Sequence, residues 1–310
     1  MSGHHHGHAH DHGHGHAAPS DHGRAFAIAI ALSSLFVVVE FGYGFIANST
    51  ALMADAGHNL SDVLGLALAW GAAILGKRTP NMRYTYGLRS SSMLAALSNA
   101  MLLMVACGAI GWEAARQLLH PQPVDGVTVS VVAGIGIAVN GISAWLFMAG
   151  SKHDLNIRGA YLHLAADAAI SLGVLVAGVL VMLTGWYWLD PLVSIAIVLV
   201  IMLGTWSLLR ASLHMMLAGV PTDIDAAKVG QFLKEVPGVT GVHDLHIWSM
   251  STTETALTAH LVMPAGYPGD AVIDDINLQL QRQFSIGHCT LQVELGTTTH
   301  TCSLDAPHTH

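Results

Sequence analysis

Apolar residues in the first two thirds of this chain form long runs instead of alternating with polar ones. Six near-continuous apolar stretches lie at about 24–46, 50–76, 91–118, 126–149, 159–184 and 187–211. Each matches the ~20 residues that an α-helix needs to cross a hydrocarbon layer ~30 Å thick. Past about residue 215 the runs stop and the period changes. A helix is predicted over Asp223–Lys234, with Ile224, Val229 and Phe232 as its apolar positions and Thr222 as its cap. Strands are predicted over Val242–Ser249 and Thr255–Met263, then an amphipathic helix over Asp270–Phe284 and a last strand over Cys289–Leu295. In that last strand Leu291, Val293 and Leu295 should face a core, with His288, Thr290, Gln292 and Glu294 on the other side. The predicted fold is an all-α six-helix transmembrane bundle followed by a small α+β domain of order αββαβ.

Composition agrees with the pattern. Of 310 residues, 52% are apolar and only 10% charged, and the mean hydropathy is +0.51, outside the range of an ordinary soluble domain. The distribution of basic residues predicts an orientation. Lys77, Arg78, Arg83 and Arg89 lie between spans two and three, and Lys152 and Arg158 lie between spans four and five. The opposite loops carry only Asp125 and Asp190 as charges. By the positive-inside rule both termini, and with them the αββαβ domain, face the cytoplasm, which for a bacterial chain means the inner membrane. The net charge of −8 says little when membrane and tail contribute separately, and no basic patch suggests nucleic acid. No basic-then-apolar leader with a cleavage site precedes the first run. Three cysteines, Cys107, Cys289 and Cys302, indicate no disulfide framework.

Four segments follow from this reading: a tail at 1–22, a transmembrane part at 23–213, the αββαβ domain at 214–296 and a C-terminal tail at 297–310. The first tail is low-complexity. His4, His5, His6, His8, His10, His12, His14 and His16 alternate with Gly, Ala and Asp, a composition that cannot bury apolar area and is expected to be disordered. It reads as a loose metal-binding segment; a purification tag is the other reading, although tags are usually unbroken runs.

Two matched tetrads carry the chemistry. His58 and Asp62 stand four residues apart in the second apolar run, and His163 and Asp167 repeat that spacing in the fifth. On a helix i and i+4 share a face, so each tetrad aims two ligand-type side chains at one point. A carboxylate at mid-depth in a membrane helix costs about 2.5–3.5 kcal/mol, so its presence calls for a partner or a function. Spans one to three start inside and spans four to six outside, an inverted arrangement that places a tetrad on the second helix of each half. Those helices would run antiparallel, bringing His58 towards Asp167 and Asp62 towards His163. Two imidazoles and two carboxylates suit tetrahedral zinc and cancel the ion's charge. They do not suit calcium or magnesium, which prefer all-oxygen shells; cobalt, nickel, cadmium and iron remain open. A histidine facing carboxylates holds its proton, and metal binding expels it, so one site serves both ions. The plainer alternative is a pair of interhelical His–Asp hydrogen bonds.

Asp55 shares the stripe of His58 and Asp62 towards the outer end, as a release-side group or a buried hydrogen-bonding one. Glu40, Glu113, Arg116 and Asn140 are read as interhelical structural pairs. Lys and Arg of residues 77–89 are expected to meet lipid phosphate.

The stretches Leu52 to Asp62, Asn156 to Asp167, Asp190-Pro191 and His243-Asp244-Leu245-His246-Ile247-Trp248 together resemble the cation diffusion facilitator family, from the first span to Glu294. The His-Asp plus His-Asp set looks like its zinc-transporting branch, close to bacterial zinc exporters. The resemblance implies a homodimeric metal/proton antiporter with six spans per subunit, paired through membrane helices and C-terminal domain, and with His58, Asp62, His163 and Asp167 as the transport site. It implies a heavy-metal-chaperone-like cytoplasmic domain in which His243, His260 and Glu294 are candidate zinc ligands. His288 is a further candidate, and His300 and Cys302 are possible substitutes. Gln292 departs from the pattern, standing where some members have His. Two rivals are weighed. An intramembrane metalloenzyme would need an open zinc position and a base, and no His-Glu-x-x-His occurs; a zinc sensor would bind without moving metal.

Overall fold

The computed structural model describes residues 23–148 and 155–297. The histidine-rich tail at 1–22, the substitutes His300 and Cys302, and most of the C-terminal tail lie outside the described residues. Six long helices come first: α1 Gly23–Ile46, α2 Thr50–Gly76, α3 Ser91–Leu119, α4 Gly126–Met148, α5 Leu155–Thr184 and α6 Leu189–Met216. Five contain a window long and apolar enough to cross a membrane, and within α1 the described apolar run is Ser33–Ile46. The elements that follow are α7 Ala226–Lys234, β1 Gly241–Ser249, β2 Thr255–Val262, α8 Asp270–Phe284 and β3 Ile286–Glu294. This is the predicted six-helix bundle followed by an αββαβ domain.

By packing, the chain divides into two compact units. One holds residues up to Val63 with Leu103–Leu203; the other holds Leu64–Leu102 with everything from Gly204 on. The core of the first is drawn from all six long helices: Phe36, Leu52, Cys107, Val129, Val174 and Ile201 are all buried. Side chains on the other faces stay exposed, among them Phe45, Val105, Trp112 and Leu203, as expected of helices whose outer faces meet lipid and not water.

Two local devices set the helix positions in this unit. Helices α4 and α5 touch backbone to backbone. A Cβ on Gly126 would lie 2.6 Å from the Gly178 carbonyl, and one on Gly178 2.8 Å from Ser130 Oγ, so only glycine permits the approach. The second device is a buried cap. After α1 the chain reverses through Asn48, which takes a left-handed φ of 56°, and Ser49 Oγ accepts from Leu52 N at 3.1 Å. The first turn of α2 then points its donors at Asp190 in the first turn of α6. Thr50 N donates to Asp190 Oδ2 at 2.7 Å, Thr50 Oγ1 at 3.0 Å and Ala51 N at 3.2 Å, and Ser49 Oγ donates to Asp190 Oδ1. The usual N-terminal orphans of a helix are thus satisfied by another helix. The sequence marks Asp190 only as the start of span six.

In the second unit, Leu233, Ile247, Leu257, Leu261, Leu280 and Ile286 form the centre of the core. β1 pairs antiparallel with β2, and β2 pairs parallel with β3. A parallel neighbour requires a crossover, and α8 supplies it. The cap of α7 is Asp225, whose Oδ1 accepts from Ala227 N at 3.0 Å and Lys228 N at 3.3 Å, not the expected Thr222. A carboxylate two residues before the first free amide reaches the orphan donors, and Thr222 lies too far upstream. β3 begins at Ile286, three residues earlier than expected. Leu295 lies past the strand and is exposed, because β2 ends at Val262, opposite Glu294.

Three polar residues depart from their expected partners. Glu113 and Arg116 pair within α3 at 3.0 Å, not between helices, since i and i+3 already face each other. Arg89 meets Glu254, just ahead of β2, rather than lying free for phosphate.

Replacing Asp190 with Ala removes four hydrogen-bond acceptor contacts from a site buried to 2% exposure. Asp190→Ala should cost about 2–4 kcal/mol, measured as a fall in melting temperature in detergent, and Thr50→Ala should cost less than half of that.

Candidate metal centre

The tetrads sit on α2 and α5, both in the first unit. Four residues of helix bring His58 and Asp62 to one face, 4.0 Å apart between Nε2 and Oδ2. His163 Nε2 and Asp167 Oδ2 are 3.6 Å apart on the partner helix. The crossed contacts are shorter: 3.3 Å from His58 Nε2 to Asp167 Oδ1 and 3.2 Å from His163 Nε2 to Asp62 Oδ2. The two imidazoles meet edge to face at 6.0 Å. Each nitrogen therefore faces both carboxylates, and the four side chains form a ring in which His and Asp alternate. In a tetrahedron with bonds of about 2.0–2.1 Å, neighbouring ligand atoms are about 3.3–3.4 Å apart. Four of the six edges straddle that value; His58, Asp62 and Asp167 each bring one ligand atom within 4.8 Å of the others, and His163 lies outside that group.

The ring is unevenly enclosed. Asp167 and His58 are 5% and 17% exposed, Asp62 and His163 34% and 44%. Asp167 Oδ1 and His58 Nδ1 make no hydrogen bond despite their burial. An unsatisfied carboxylate oxygen 3.3 Å from an imidazole nitrogen is an acceptor left for a cation.

A turn back along α2, Asp55 is fully buried and Oδ2 accepts from Ser171 Oγ of α5 at 2.8 Å. Asn59, next to His58, donates through Nδ2 to Glu40 Oε2 of α1 at 3.0 Å. The expected interhelical role of Glu40 is met in this contact. Asn140 Nδ2 on α4 has no hydrogen-bond partner among the described residues. Ser171 had no sequence signal of its own, except that it lies one turn past Asp167 on the same face.

The second cluster lies on the polar face of the C-terminal sheet. His243 is opposite His260, and Glu294 is opposite Val262, so all three side chains share that face. His243 Nε2 is 3.1 Å from Glu294 Oε2, and His260 Nδ1 is 2.9 Å from Glu294 Oε1. The two rings meet edge to face at 5.0 Å. Both imidazoles hold the Glu294 carboxyl below its ordinary value. Burial is the largest single influence and pushes it up, but the His243 hydrogen bond and the charges of His260 and His243 together outweigh it. Gln292 donates through Nε2 to Glu294 Oε1 at 2.9 Å, orienting the carboxylate. Two imidazoles and a carboxylate suit zinc, with a fourth position left to water or another ligand.

Two features of this cluster were not apparent from the sequence. β1 carries a bulge between His243 and His246, with Asp244 at φ 51°. The extra residue brings His246 to the same face as His243, which strict alternation forbids. Asp244 Oδ1 contacts His246 Nε2 at 3.0 Å and its Oδ2 faces His260 Nε2 at 3.6 Å. His288 does not join the trio. It lies opposite Ala256, six strand residues or about 20 Å from Glu294, and meets Tyr86 edge to face at 5.7 Å in a cleft of about 690 Å³ shared with Arg89 and Glu254.

Models of known families match nearly the whole described chain. That for the cation efflux transmembrane domain covers residues 26–217, and that for the cation efflux protein, cytoplasmic domain, covers 221–295. The chain is 36% identical over 261 residues to the metal cation efflux system protein CzcD of Cupriavidus metallidurans, a span of 84% of this chain and 83% of that protein. Identity and coverage are the same with the zinc transporter ZitB of Escherichia coli. With the cadmium, cobalt and zinc/H(+)-K(+) antiporter of Bacillus subtilis identity is 33% over 270 residues, 86% of each.

Cys289 stands apart from the trio, opposite Leu257 on the core face of the sheet. It is half-buried against the sheet core, and burial pushes its thiol up to about 11. Against a free thiol near 8.5, the thiolate fraction at pH 8 falls by about two orders of magnitude. Iodoacetamide labelling of the native protein at pH 8, read by mass spectrometry, should modify Cys289 about 100-fold more slowly than after denaturation.

Proposed function

The chain belongs to the cation diffusion facilitator, or cation efflux, family of transporters, and we propose that it exports zinc from the cytoplasm across the bacterial inner membrane in exchange for protons. The observation that carries this reading is the ring of four His–Asp contacts, 3.2 to 4.0 Å, between α2 and α5. His58, Asp62, His163 and Asp167 supply a tetrahedral donor set whose two carboxylates neutralise a divalent ion between apolar helices. In the absence of metal each imidazole faces two carboxylates and retains a proton. The ion requires the neutral rings, so its entry drives those protons off.

Lys and Arg placement supports cytoplasmic termini. In that orientation the C-terminal end of α2 and the N-terminal end of α5 face the cytoplasm. Asp62 and His163, the more exposed pair, are then on the cytoplasmic side of the ring. On the opposite side Ala51, Leu52, Ala54 and Asp55 are all buried, which supports a form open to cytoplasmic zinc and closed outward.

The αββαβ domain is proposed to hold regulatory zinc through His243, His260 and Glu294 and to pair two subunits into a homodimer. His4 to His16 are proposed to gather zinc near the entrance. Cadmium, cobalt or nickel as main cargo is the alternative; the printed name of the Bacillus subtilis relative includes cadmium and cobalt, and the donor set does not exclude them.

Purified protein in liposomes with a pH gradient tests the reading. Wild type should move zinc against protons, and Asp62→Ala and Asp167→Ala should reduce flux to the level of protein-free liposomes while retaining a monodisperse gel-filtration profile. Normal transport by both variants would refute the assignment. Removal of residues 1–22 should slow uptake at low zinc and leave the maximal rate unchanged.

A further inference from the structure

Glu40 and Asp55 are fully buried, at 0% exposure each, and lie outside the four-ligand ring. Glu40 is bonded to Asn59, which stands one turn from Asp55 on the same face of α2, so the two carboxyls are neighbours. One oxygen of each is satisfied: Glu40 Oε2 by Asn59 Nδ2 at 3.0 Å and Asp55 Oδ2 by Ser171 Oγ at 2.8 Å. The other oxygen of each, Glu40 Oε1 and Asp55 Oδ1, has no donor. No salt bridge reaches either side chain among the described residues, and α4, which packs against α1, has no ionisable residue. Two adjacent buried carboxylates that no salt bridge reaches are untenable as a doubly charged pair. One proton shared by the pair makes one carboxyl a donor to the other and leaves a single negative charge.

We propose that Glu40 and Asp55 form a carboxyl pair that binds one proton and carries it as counter-ion, separately from the protons displaced from His58 and His163. The proposal rests on the antiport reading above. Asp55 is three residues before His58, about 4.5 Å along the helix axis, and the charged groups facing it are Glu40, His58 and Asp167. A divalent ion entering the ring brings positive charge within one turn of the pair and disfavours its proton. Loading from the cytoplasm therefore expels that proton inward, past the open Asp62–His163 side. Once the metal has left outward, the pair recovers a proton from outside. The bond formed and broken is one carboxyl O–H, and no other reactant is needed. Through Asn59 and Ser171 the protonated pair also ties α1 to both ring-bearing helices.

Two measurements on the full-length protein test this. Infrared spectra of the metal-free wild type in detergent at pH 8 should show a protonated carboxyl C=O band that shifts on ¹³C labelling of glutamate or aspartate. The band should be lost in both Glu40→Gln and Asp55→Asn, where an amide donates in place of the shared proton. In proteoliposomes, both variants should exchange one proton fewer per zinc than wild type. A missing band in wild type, a band that survives in both variants, or an unchanged proton-to-zinc ratio would overturn the proposal. The labelled wild-type spectrum decides even where a variant does not fold. Absence of all proton flux in wild type would overturn the antiport reading with it, whereas wild-type flux that both variants leave unaltered overturns the pair alone.

Discussion

Lipid offers no hydrogen bonds, so every polar group on the transmembrane helices must find its partner inside the protein. That constraint orders the first unit. The α2 amino terminus is satisfied by Asp190, one oxygen of Glu40 by Asn59 and one of Asp55 by Ser171, and the four ring residues pair with one another. Each of these contacts joins α2 to a different helix or ties two ring-bearing helices together. The helix that carries half of the ring is thereby fixed at its end, its middle and its site. The close approach of α4 and α5 at Gly126 and Gly178 places the other half with similar economy.

The C-terminal domain solves a different problem. Its metal-type residues lie on a sheet face where water can satisfy them, so geometry and not burial selects the trio. Cross-strand pairing puts His243 beside His260, and parallel pairing of β3 brings Glu294 to the same end. The bulge at Asp244 then adds His246 to that face and leaves an acid among three histidines. A backbone irregularity in one strand thus doubles the number of ionisable groups around His260.

Much of this was legible from residue order alone. Long apolar runs fix helix count, because a bilayer demands about 20 residues whatever their identity. The i, i+4 spacing of His58 and Asp62, repeated at His163 and Asp167, combined with inverted topology, predicted which His would face which Asp, and the crossed contacts have that pairing. Features set by three-dimensional proximity were less visible. Asp190 reads as a helix start until the α2 terminus is seen against it, and Glu113 and Arg116 look like partners for other helices although each reaches the other first. His288 and His243 both stand on polar strand positions, and only the register shows them at opposite ends of the sheet. A bulge has no reliable sequence mark, and strict period-two counting from His243 would put His246 on the opposite face.

The division of the ring between two helices has a consequence for the proposed carrier. Each helix alone offers one imidazole and one carboxylate at 3.6 or 4.0 Å, a two-ligand site of low affinity. High affinity arises only from the crossed contacts of 3.2 and 3.3 Å, and these depend on the register of α5 against α2. A small displacement of one helix breaks both crossed contacts and leaves both intrahelical pairs intact. The ion then loses half of its ligands without either helix unfolding. In the proposed carrier, tight capture and release are two registers of one helix pair and not separate sites along a path. Every group that ties α2 to its neighbours, the Glu40–Asn59 and Asp55–Ser171 contacts above all, therefore bears on which register the helices hold.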